Sequence, residues 1–427
     1  MVMENVTTTQ LSKMIENPNI RVVDIRPVEF YNGWCTHNQP RSGHIKGAKS
    51  LPFKWFFYLD WPDILKAKGL SRTDTIVLYG HLQEQAQEAA EHFRRAGFSS
   101  VYLYHHFLTQ WCTNWSLPMQ KLENHTKLVS ADWVNTLMET GGAPELKNQK
   151  HALFHCYYFD KDAYLRGHIP GARPLDSTTL ESPRTWNSRS PREIEKALVE
   201  AGITHDTTVV LYGRYSGPQY DDPFPGSSAG QLCAFRCAFI LMYAGVKDVR
   251  VLNGGLQAWI DEGLAVTEHE PVEKKADQFG AAIPGCPQMI ADLKKAKQIL
   301  KSPDQNLVCV RSFKEYIGEV SGYNYIKKRG RIPGAVFVHN GSDAYHMENY
   351  RNLDHTTREF HEIEQMWKSA GVTKNKFNAF YCGTGWRGAE AFFNAFLMGW
   401  KKIAVFDGGW FEWSSDDNNP YETGDPI

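Results

Sequence analysis

The chain has 427 residues, of which 42% are hydrophobic and 22% are charged. This length predicts about three domains of roughly 150 residues each, and the composition is ordinary for a globular protein. The formal net charge of −1 disfavours a nucleic-acid binder, because phosphate recognition requires a clustered surplus of basic residues.

The N-terminal residues 1–5 lack the apolar stretch of a secretory signal. No run of 18 apolar residues occurs, which excludes a predicted membrane-spanning helix. Eight cysteines are too few for a disulfide scaffold, and no Cys-x-x-Cys or clustered Cys/His pattern suggests zinc. We therefore expect a reduced, cytoplasmic protein without a metal, a membrane partner or a nucleic-acid partner.

The chain repeats one pattern three times, which is the first feature to look for in a long sequence. Each repeat begins with an apolar strand, and a Gly-x-Ile-x-Gly-Ala turn follows it. These paired segments are residues 22–26 and 43–48, 152–154 and 167–172, and 307–311 and 330–335. The glycines suit a tight turn that leads the chain into a short strand.

Further along, each repeat has an apolar strand that ends in tyrosine plus a small residue, then an amphipathic helix and another strand. The tyrosine strands are residues 76–80, 209–213 and 379–382. Apolar strands alternating with helices predict an α/β fold, in which each domain is a parallel sheet flanked by helices. We expect three tandem domains with boundaries at 1–124, 125–280 and 281–427.

The third repeat places a cysteine where the other two have Gly80 and Gly213. There the strand runs into Cys382-Gly383-Thr384-Gly385-Trp386-Arg387, and a helix follows. A glycine-rich loop between strand and helix directs backbone N–H groups inward, where they stabilise an anionic sulfur. Because ligands bind at the carboxyl ends of parallel strands, we expect Cys382 to be the reactive group. The first two domains then have structural or substrate-shaping roles.

These motifs, together with the Asp-x-Arg strand and the Asp-Gly-Gly-Trp ending, resemble the rhodanese family over nearly the whole chain. The resemblance implies sulfurtransferase activity through a persulfide on Cys382. Related Cys…Arg phosphatases hold five residues between cysteine and arginine, whereas residues 383–386 make four here. Those phosphatases also carry a histidine before the cysteine, where this chain has Tyr381. The smaller loop suits sulfur better than phosphate.

Residues 308–328, residues 341–350 and the Cys382 loop resemble a narrower group, the multidomain rhodanese-like enzymes of anaerobic ergothioneine synthesis. These enzymes insert sulfur from polysulfide into hercynine, the trimethylammonium betaine of histidine. The resemblance implies the same substrates here, and no cofactor, because the redox chemistry resides in the sulfur donor. Glu315 stands near the position where mercaptopyruvate enzymes have an arginine. A carboxylate there disfavours an anionic donor and favours an acceptor with N–H groups or positive charge.

The resemblance also implies roles for individual residues. Tyr323 is the candidate proton-transfer group, with Tyr381 as a helper. The substrate-binding candidates are Glu315 and Thr384 on the imidazole nitrogens, Trp386 facing the trimethylammonium group, and Gly383, Gly385 and Arg387 in the loop, where Arg387 braces carbonyls or a carboxylate.

Several alternatives remain open at the level of sequence. The chain could use thiosulfate or 3-mercaptopyruvate with a cyanide, thiol or protein acceptor, or it could be a non-enzymatic docking scaffold for sulfur carriers. Glu315 could serve only to pair with a neighbouring cation, and Thr384, Tyr323 and Trp386 could have only structural roles. Cys309 is either a buried, inert thiol or a second thiol that resolves the persulfide. The oligomeric state is left open.

Domain two replaces its short loop with the segment 214–228, which is rich in Gly, Pro and Asp. A long loop at the functional edge of a sheet is often a lid or a contact with a partner domain. A merely tolerated insertion fits the sequence equally well.

Overall fold

The computed structural model describes residues 4–36, 39–146, 150–216, 227–272 and 274–426. The chain divides into two compact units, Met1–Thr126 and Lys127–Ile427. Each unit is built from parallel sheets covered by helices, as the alternation of apolar strands and helices predicts.

The first unit contains one parallel sheet in the strand order β3-β1-β4-β5 and a short antiparallel pair, β2 with β6. Its strands are β1 (Ile20–Asp24), β2 (His44–Ile45), β3 (Lys49–Ser50), β4 (Thr75–Tyr79), β5 (Val101–Leu103) and β6 (Met119–Gln120). Its helices are α1 (Thr8–Met14), α2 (Val28–Asn32), α3 (Trp61–Ala67) and α4 (Gln83–Arg95).

The carboxyl end of the sheet in the first unit is held by a buried polar network. Arg26 donates to both carboxylate oxygens of Asp24 at 2.9 and 2.6 Å, and the hydroxyl of Tyr79 donates to Asp24 at 2.8 Å. The same hydroxyl accepts a hydrogen bond from the backbone N–H of Ile45 in the glycine-bounded turn. The Asp-x-Arg motif thus fixes the turn that follows the first strand.

The second unit begins with a five-stranded parallel sheet in the order β7-β11-β10-β8-β9. Its strands are β7 (Leu128–Val129), β8 (His151–Tyr157), β9 (Arg173–Asp176), β10 (Thr208–Tyr212) and β11 (Asp248–Leu252). The accompanying helices are α5 (Ala131–Thr140), α6 (Asp162–Leu165), α7 (Pro191–Glu200), α8 (Ala229–Ala244) and α9 (Gly255–Asp261).

A second five-stranded parallel sheet follows in the equivalent order β12-β16-β15-β13-β14. Its strands are β12 (Ile290–Ala291), β13 (Gln305–Cys309), β14 (Val336–Phe337), β15 (Phe377–Tyr381) and β16 (Ile403–Phe406). Its helices are α10 (Leu293–Ile299), α11 (Phe313–Ile317), α12 (Phe360–Ser369), α13 (Trp386–Leu397) and α14 (Gly409–Ser415).

The three sheets have the same strand register at the carboxyl end of their central strands. Each tyrosine at the end of a central strand pairs with the last or a late residue of the neighbouring strand: Tyr79 with Asp24, Tyr212 with His155, and Tyr381 with Cys309. Corresponding residues therefore reach the same edge of each sheet, and the loops after Tyr79, Tyr212 and Tyr381 are structurally equivalent.

Helix α8 is buried along most of its length and packs against both β8 and α13. A helix that is apolar on all sides is expected in the interior of a large domain. Cys233 and Cys237 are buried within it as small residues of the core. The one arginine of α8, Arg236, is fully buried too.

The predicted fold class is confirmed by these parallel sheets and their helices. Among the residues described, no helix is both long and apolar enough to cross a membrane. Of the insertion predicted at 214–228, only residues 214–216 and 227–228 are described, so its role stays a prediction. The three domain boundaries also stay a prediction.

Candidate active site

Cys382 follows β15 directly, and its loop ends where α13 begins at Trp386. The cysteine has no accessible surface (0%). Gly385 has a φ of 93°, a left-handed conformation that favours glycine. A Cβ at this position would lie 2.6 Å from the backbone oxygen of Asp407. The loop therefore requires glycine at 385 for both its conformation and its close approach to the following strand.

The start of α14 fixes the direction of the loop's peptide groups. The backbone N–H of Trp410 donates to the carbonyl of Cys382 at 2.8 Å, and that of Phe411 donates to the carbonyl of Gly383 at 2.9 Å. In a trans peptide the N–H points away from the carbonyl of the same unit. The N–H groups of Gly383 and Thr384 consequently point away from α14.

Arg387 and Glu315 form a fully buried, two-pronged ion pair behind the loop. The guanidinium donates to the two carboxylate oxygens at 2.8 and 2.7 Å, a geometry that strengthens charged hydrogen bonds. Glu315 also accepts from the backbone N–H and the hydroxyl of Ser312 at 3.0 and 2.8 Å. Arg387 thus braces a carboxylate, one of the two roles predicted for it.

The electrostatics of this pair keep both groups charged. Burial alone would raise the pKa of Glu315, but the charge and hydrogen bonds of Arg387 hold that pKa below its ordinary value. Burial acts in the opposite sense on Arg387, whose pKa is nevertheless raised because Glu315 lies beside it. Glu315 is therefore a carboxylate at neutral pH, and most of its acceptor capacity is used within the protein.

The ring of Tyr323 lies directly against the loop. A Cβ added to Gly383 would be 2.4 Å from Cε2 of Tyr323, so glycine at 383 makes room for this ring. The guanidinium carbon of Arg387 lies 5.6 Å from the ring centre. Burial, and secondarily the negative charge possible on Cys382, raises the pKa of Tyr323 despite Arg387. The hydroxyl is therefore protonated at neutral pH and able to donate.

Thr384 and Trp386 are the other two predicted substrate-binding side chains of the loop. Thr384 stands two residues after the cysteine and is buried. The indole N–H of Trp386 donates to the two carboxylate oxygens of Glu181 at 2.9 and 3.1 Å, and Glu181 belongs to the preceding sheet's half of the unit. Trp386 is thus held in a fixed orientation at the start of α13.

Tyr381 lies in the hydrophobic core together with Cys309 and Trp410. Its pKa is raised, chiefly by burial. Its hydroxyl lies next to the Cys309 thiol, whereas the hydroxyl of the equivalent Tyr212 accepts from the N–H of Ile169 at 2.9 Å. Adjacent strand residues point to opposite faces, which explains why Tyr381 enters the core. Its predicted role as a helper stays untested.

A row of aromatic rings extends outward from Tyr323, and we call Tyr323, Tyr325, Trp186 and Tyr158 the aromatic stack. Successive ring centres are 5.2, 5.3 and 5.2 Å apart, with planes within 23° of parallel. Trp386 stands nearly perpendicular to Tyr158 and Trp186, at 5.6 and 6.4 Å. Such offset and perpendicular geometries are the favourable ones for aromatic pairs.

Sequence reasoning missed Tyr158, Trp186, Glu181 and Arg236. All four belong to the half of the unit that lacks the cysteine, and no local motif marks them. Trp186 has a φ of 63°, and strained non-glycine residues cluster at functional sites, but that signal exists only in the structure. The predicted residues Cys382, Gly383, Tyr323, Glu315 and Arg387 do come together.

The sequence matches the model of the rhodanese-like domain three times, at residues 7–114, 130–262 and 292–416. The chain belongs to the rhodanese-like family. The prediction of three such repeats and of a rhodanese-type sulfurtransferase is therefore confirmed, and the enzyme class agrees with the loop geometry around Cys382.

Among curated relatives of this rhodanese-like protein, the thiosulfate sulfurtransferase YnjE of Escherichia coli is 36% identical over 96% of this chain and 91% of its own length. The anaerobic ergothioneine biosynthesis enzyme of Chlorobium limicola, solved with its natural substrate trimethyl histidine, is 52% identical. It superimposes with a TM-score of 0.96 over 100% of both chains. Wild-type EanB gives the same identity and TM-score over 100% of this chain and 99% of that chain.

Proposed function

We propose that this enzyme carries sulfane sulfur as a persulfide on Cys382 and transfers it from polysulfide to C2 of the imidazole ring of hercynine, which yields ergothioneine. Tyr323, Thr384 and Glu315 assist the transfer, and the loop of Gly383, Gly385 and Arg387 holds the sulfur. The proposed domains are 1–124, 125–280 and 281–427, with the reaction in the third, and a cytoplasmic location stays part of the proposal.

The spacing of three residues carries this proposal. In solved EanB variants a cysteine bears the persulfide, and a threonine two residues after it is exchanged for valine. A tyrosine upstream is exchanged for phenylalanine or alanine, at the same separation from that cysteine as Tyr323 has from Cys382. Thr384 likewise stands two residues after Cys382. Full-length identity of 52% supports equivalent positions.

Loading of the cysteine is a thiol–disulfide type of exchange. The thiolate of Cys382 attacks a sulfane sulfur of polysulfide, one S–S bond forms, and another breaks to release a shorter polysulfide. The N–H groups of Gly383 and Thr384, which point away from α14, are placed to stabilise the anionic terminal sulfur. Charge-assisted bonds of this kind contribute about 1.5–3 kcal/mol each before desolvation costs.

In the transfer step a bond forms between C2 and the terminal sulfur, and the bond from that sulfur to Sγ of Cys382 breaks, with its electron pair returning to Sγ. The C2 proton leaves, and the product bears a proton on the second ring nitrogen. The carbon is oxidised by two electrons and the sulfane sulfur is reduced by two, so no further oxidant is needed. Protonated Tyr323 is suited to relay a proton beside the loop.

Charge and aromatic surface favour a cationic acceptor. Arg387 is neutralised by Glu315, and Arg236 forms ion pairs with both Glu181 and Asp407 at 2.8 and 2.6 Å. Both guanidinium groups are therefore paired with carboxylates and offer no unpaired positive charge to an anionic ligand. Aromatic faces attract quaternary ammonium groups by roughly 0.5–2 kcal/mol each, and the aromatic stack with Trp386 supplies such faces.

A thiosulfate sulfurtransferase is the second candidate, because YnjE is 36% identical over nearly the whole chain. The charge balance argues against it. Thiosulfate is a dianion, and the guanidinium of Arg387, in the loop that begins with the cysteine, is already paired with Glu315. A monoanionic hydropolysulfide meets less repulsion from the same surroundings.

The test is mass spectrometry of the purified enzyme after exposure to polysulfide, followed by addition of hercynine or, in parallel, histidine. We expect Cys382 to gain sulfur, and that sulfur to leave as ergothioneine with hercynine much faster than it is transferred to histidine, which lacks the quaternary ammonium group. Cys286→Ser, which exchanges a thiol outside this site, is the matched control and should behave as the unaltered enzyme. A persulfide that survives hercynine but discharges to cyanide would contradict the proposed acceptor.

A further inference from the structure

Arg236 occupies an unusual position for a charged residue, at the centre of the apolar helix α8 and with no exposed surface. Its guanidinium donates to Glu181 at 2.8 Å, to Asp407 at 2.6 Å and to the backbone oxygen of Trp186 at 2.8 Å. Asp407 follows β16, so this side chain connects α8 to the sheet that carries the cysteine. A buried charge of this kind is tolerated only when it is fully paired.

The first connection from Arg236 reaches the beginning of the catalytic loop. Asp407 is followed by Gly408 and by Gly409, where α14 begins, and the next two residues of α14 donate their N–H groups to the carbonyls of Cys382 and Gly383. The second oxygen of Asp407 accepts from the backbone N–H of Ser188 at 2.6 Å. Arg236 thus fixes the segment that sets the direction of the loop's peptide groups.

The second connection reaches the end of the loop. Glu181, paired with Arg236, also accepts from the indole N–H of Trp386, the first residue of α13. A Cβ on Gly385 would lie 3.1 Å from the guanidinium of Arg236 and 2.6 Å from the backbone oxygen of Asp407. Gly385 therefore lies close to both Arg236 and Asp407, and the two ends of the loop are connected to the same guanidinium through Asp407 and Glu181.

We propose that Arg236 is a positioning residue for sulfur transfer, through which the cysteine-free middle domain holds the Cys382 loop in its reactive shape. This inference rests on the proposed function only in taking Cys382 as the sulfur carrier. The middle domain acts without touching the sulfur, because Asp407 and Glu181 transmit the constraint to the two ends of the loop. A displacement of about 1 Å in a reacting group can cost roughly 100-fold in rate.

A hydrogen bond elsewhere in the same unit provides a matched control. Asn253 follows β11 as Asp407 follows β16, and its side-chain oxygen accepts from the backbone N–H of Thr357 at 2.7 Å. This bond joins the same two halves of the unit but adjoins Gly254 and Gly255, next to the cysteine-free loop. Its loss tests whether any weakening of the contact between the halves would slow the reaction.

The experiment compares persulfide loading of Cys382 by polysulfide in full-length variants, followed by mass spectrometry over time. Removing Arg236 alone strands two buried carboxylates and risks the fold, so the main variant is R236M/E181Q/D407N, which removes all three charges at similar volume. Such replacements of buried ion networks are often neutral or stabilising. R236K and N253A complete the set, and thermal midpoints are measured for each.

We expect the triple variant to fold and to lose about 10- to 100-fold in the saturating loading rate, with the half-saturating polysulfide concentration changed less than about twofold. R236K should recover part of the rate, and N253A should load at the original rate. An unchanged rate in the triple variant would overturn the proposal, as would an equal loss of rate in N253A.

Loading and discharge to cyanide do not involve hercynine, so this result is separate from the identity of the acceptor. If the unaltered enzyme loads but makes no ergothioneine, the proposed function fails and the comparison of variants still stands. If polysulfide does not load it, thiosulfate and 3-mercaptopyruvate are used as donors for the same comparison.

Discussion

We call residues 213–216, which follow Tyr212, the closed loop and residues 382–387, which follow Tyr381, the reactive loop; the two begin at the same position in their sheets. In both, a glycine-led helix donates to the first carbonyl: Leu256 to Gly213 at 2.9 Å, and Trp410 to Cys382 at 2.8 Å. The two loops differ in the space available for a side chain at their first residue. A Cβ on Gly213 would be 1.9 Å from the backbone oxygen of Gly230.

The described residues of the closed loop also make polar and aromatic contacts with their neighbours. The backbone N–H of Gly213 donates to the side chain of Gln231 at 2.9 Å, and buried Tyr215 stacks on His355 with ring centres 4.0 Å apart. The second repeat therefore differs by more than the missing nucleophile, because Gly230, Gln231 and His355 lie against the described residues 213–216. What remains is the scaffold, which the protein uses to support the neighbouring loop.

The largest effect expected from this comparison concerns the cysteine itself. Cys382→Ser should abolish persulfide formation and ergothioneine synthesis while leaving the fold intact, because serine fits a cysteine site. Adding Gly213→Cys to that variant should restore nothing, since the new Cβ collides with the backbone of Gly230. Mass spectrometry of both variants after polysulfide treatment checks this. Any persulfide at position 213 would show that the closed loop can open.

Tyr323 should give the next largest effect. Tyr323→Phe keeps the ring against Gly383 but removes the hydroxyl, and proton-transfer groups contribute about 10²- to 10⁴-fold in rate. Ergothioneine formation should fall by that factor, whereas loading of Cys382 by polysulfide should not change, because loading needs no proton at C2. Single-turnover measurements of the two steps separate them. Equal slowing of both would assign Tyr323 to packing of the loop.

The buried ion pair of Arg387 and Glu315 lies behind the reactive loop, whereas the closed loop donates to the neutral side chain of Gln231. Glu315→Gln leaves Arg387 buried without its counter-charge, and breaking such a pair costs about 3–5 kcal/mol. Denaturant unfolding at pH 7 measures this loss. Arg358→Gln, which breaks a less buried pair with Glu362 on α12, is the control and should cost about 1 kcal/mol or less.

The same pair predicts the direction of a pH dependence. The pKa of Glu315 in the folded protein lies below its ordinary value of 4.5. The stabilisation from the pair is therefore complete above about pH 4.5 and is lost as the pH falls through the folded pKa. Between pH 7 and pH 3 the unaltered enzyme should lose more stability than Glu315→Gln. Parallel curves for the two proteins would contradict this assignment.

Features that lie within one short segment of the chain can be predicted from the sequence. Features that arise when two sheets and their helices pack together cannot. The repeats and the Cys382 loop could be found because each lies within a short continuous segment. Trp186 and Arg236 could not, because they reach the site only when two sheets pack through α8 and α13. Tyr381 is adjacent to Cys382, but strand alternation turns its side chain into the core.

The smallest effect is expected from substituting Trp186 or His355, the two residues that stack beside the two loops. Trp186 and His355 both have a φ of 63°; one stacks on Tyr325 beside the reactive loop, and the other on Tyr215 in the closed loop. Trp186→Leu should raise the KM for hercynine about 2- to 30-fold, which corresponds to a lost cation–π contact. His355→Leu, the matched control, should leave that KM unchanged.

Steady-state kinetics with hercynine, together with the rate of persulfide loading, decides the outcome. Leucine is no more strained than tryptophan at this backbone conformation, so the substitution tests the aromatic face and not the fold. If Trp186→Leu slows loading and leaves KM unchanged, the aromatic stack serves to cover the cysteine. If KM rises while loading is unaffected, the middle domain supplies part of the surface that selects a quaternary ammonium substrate.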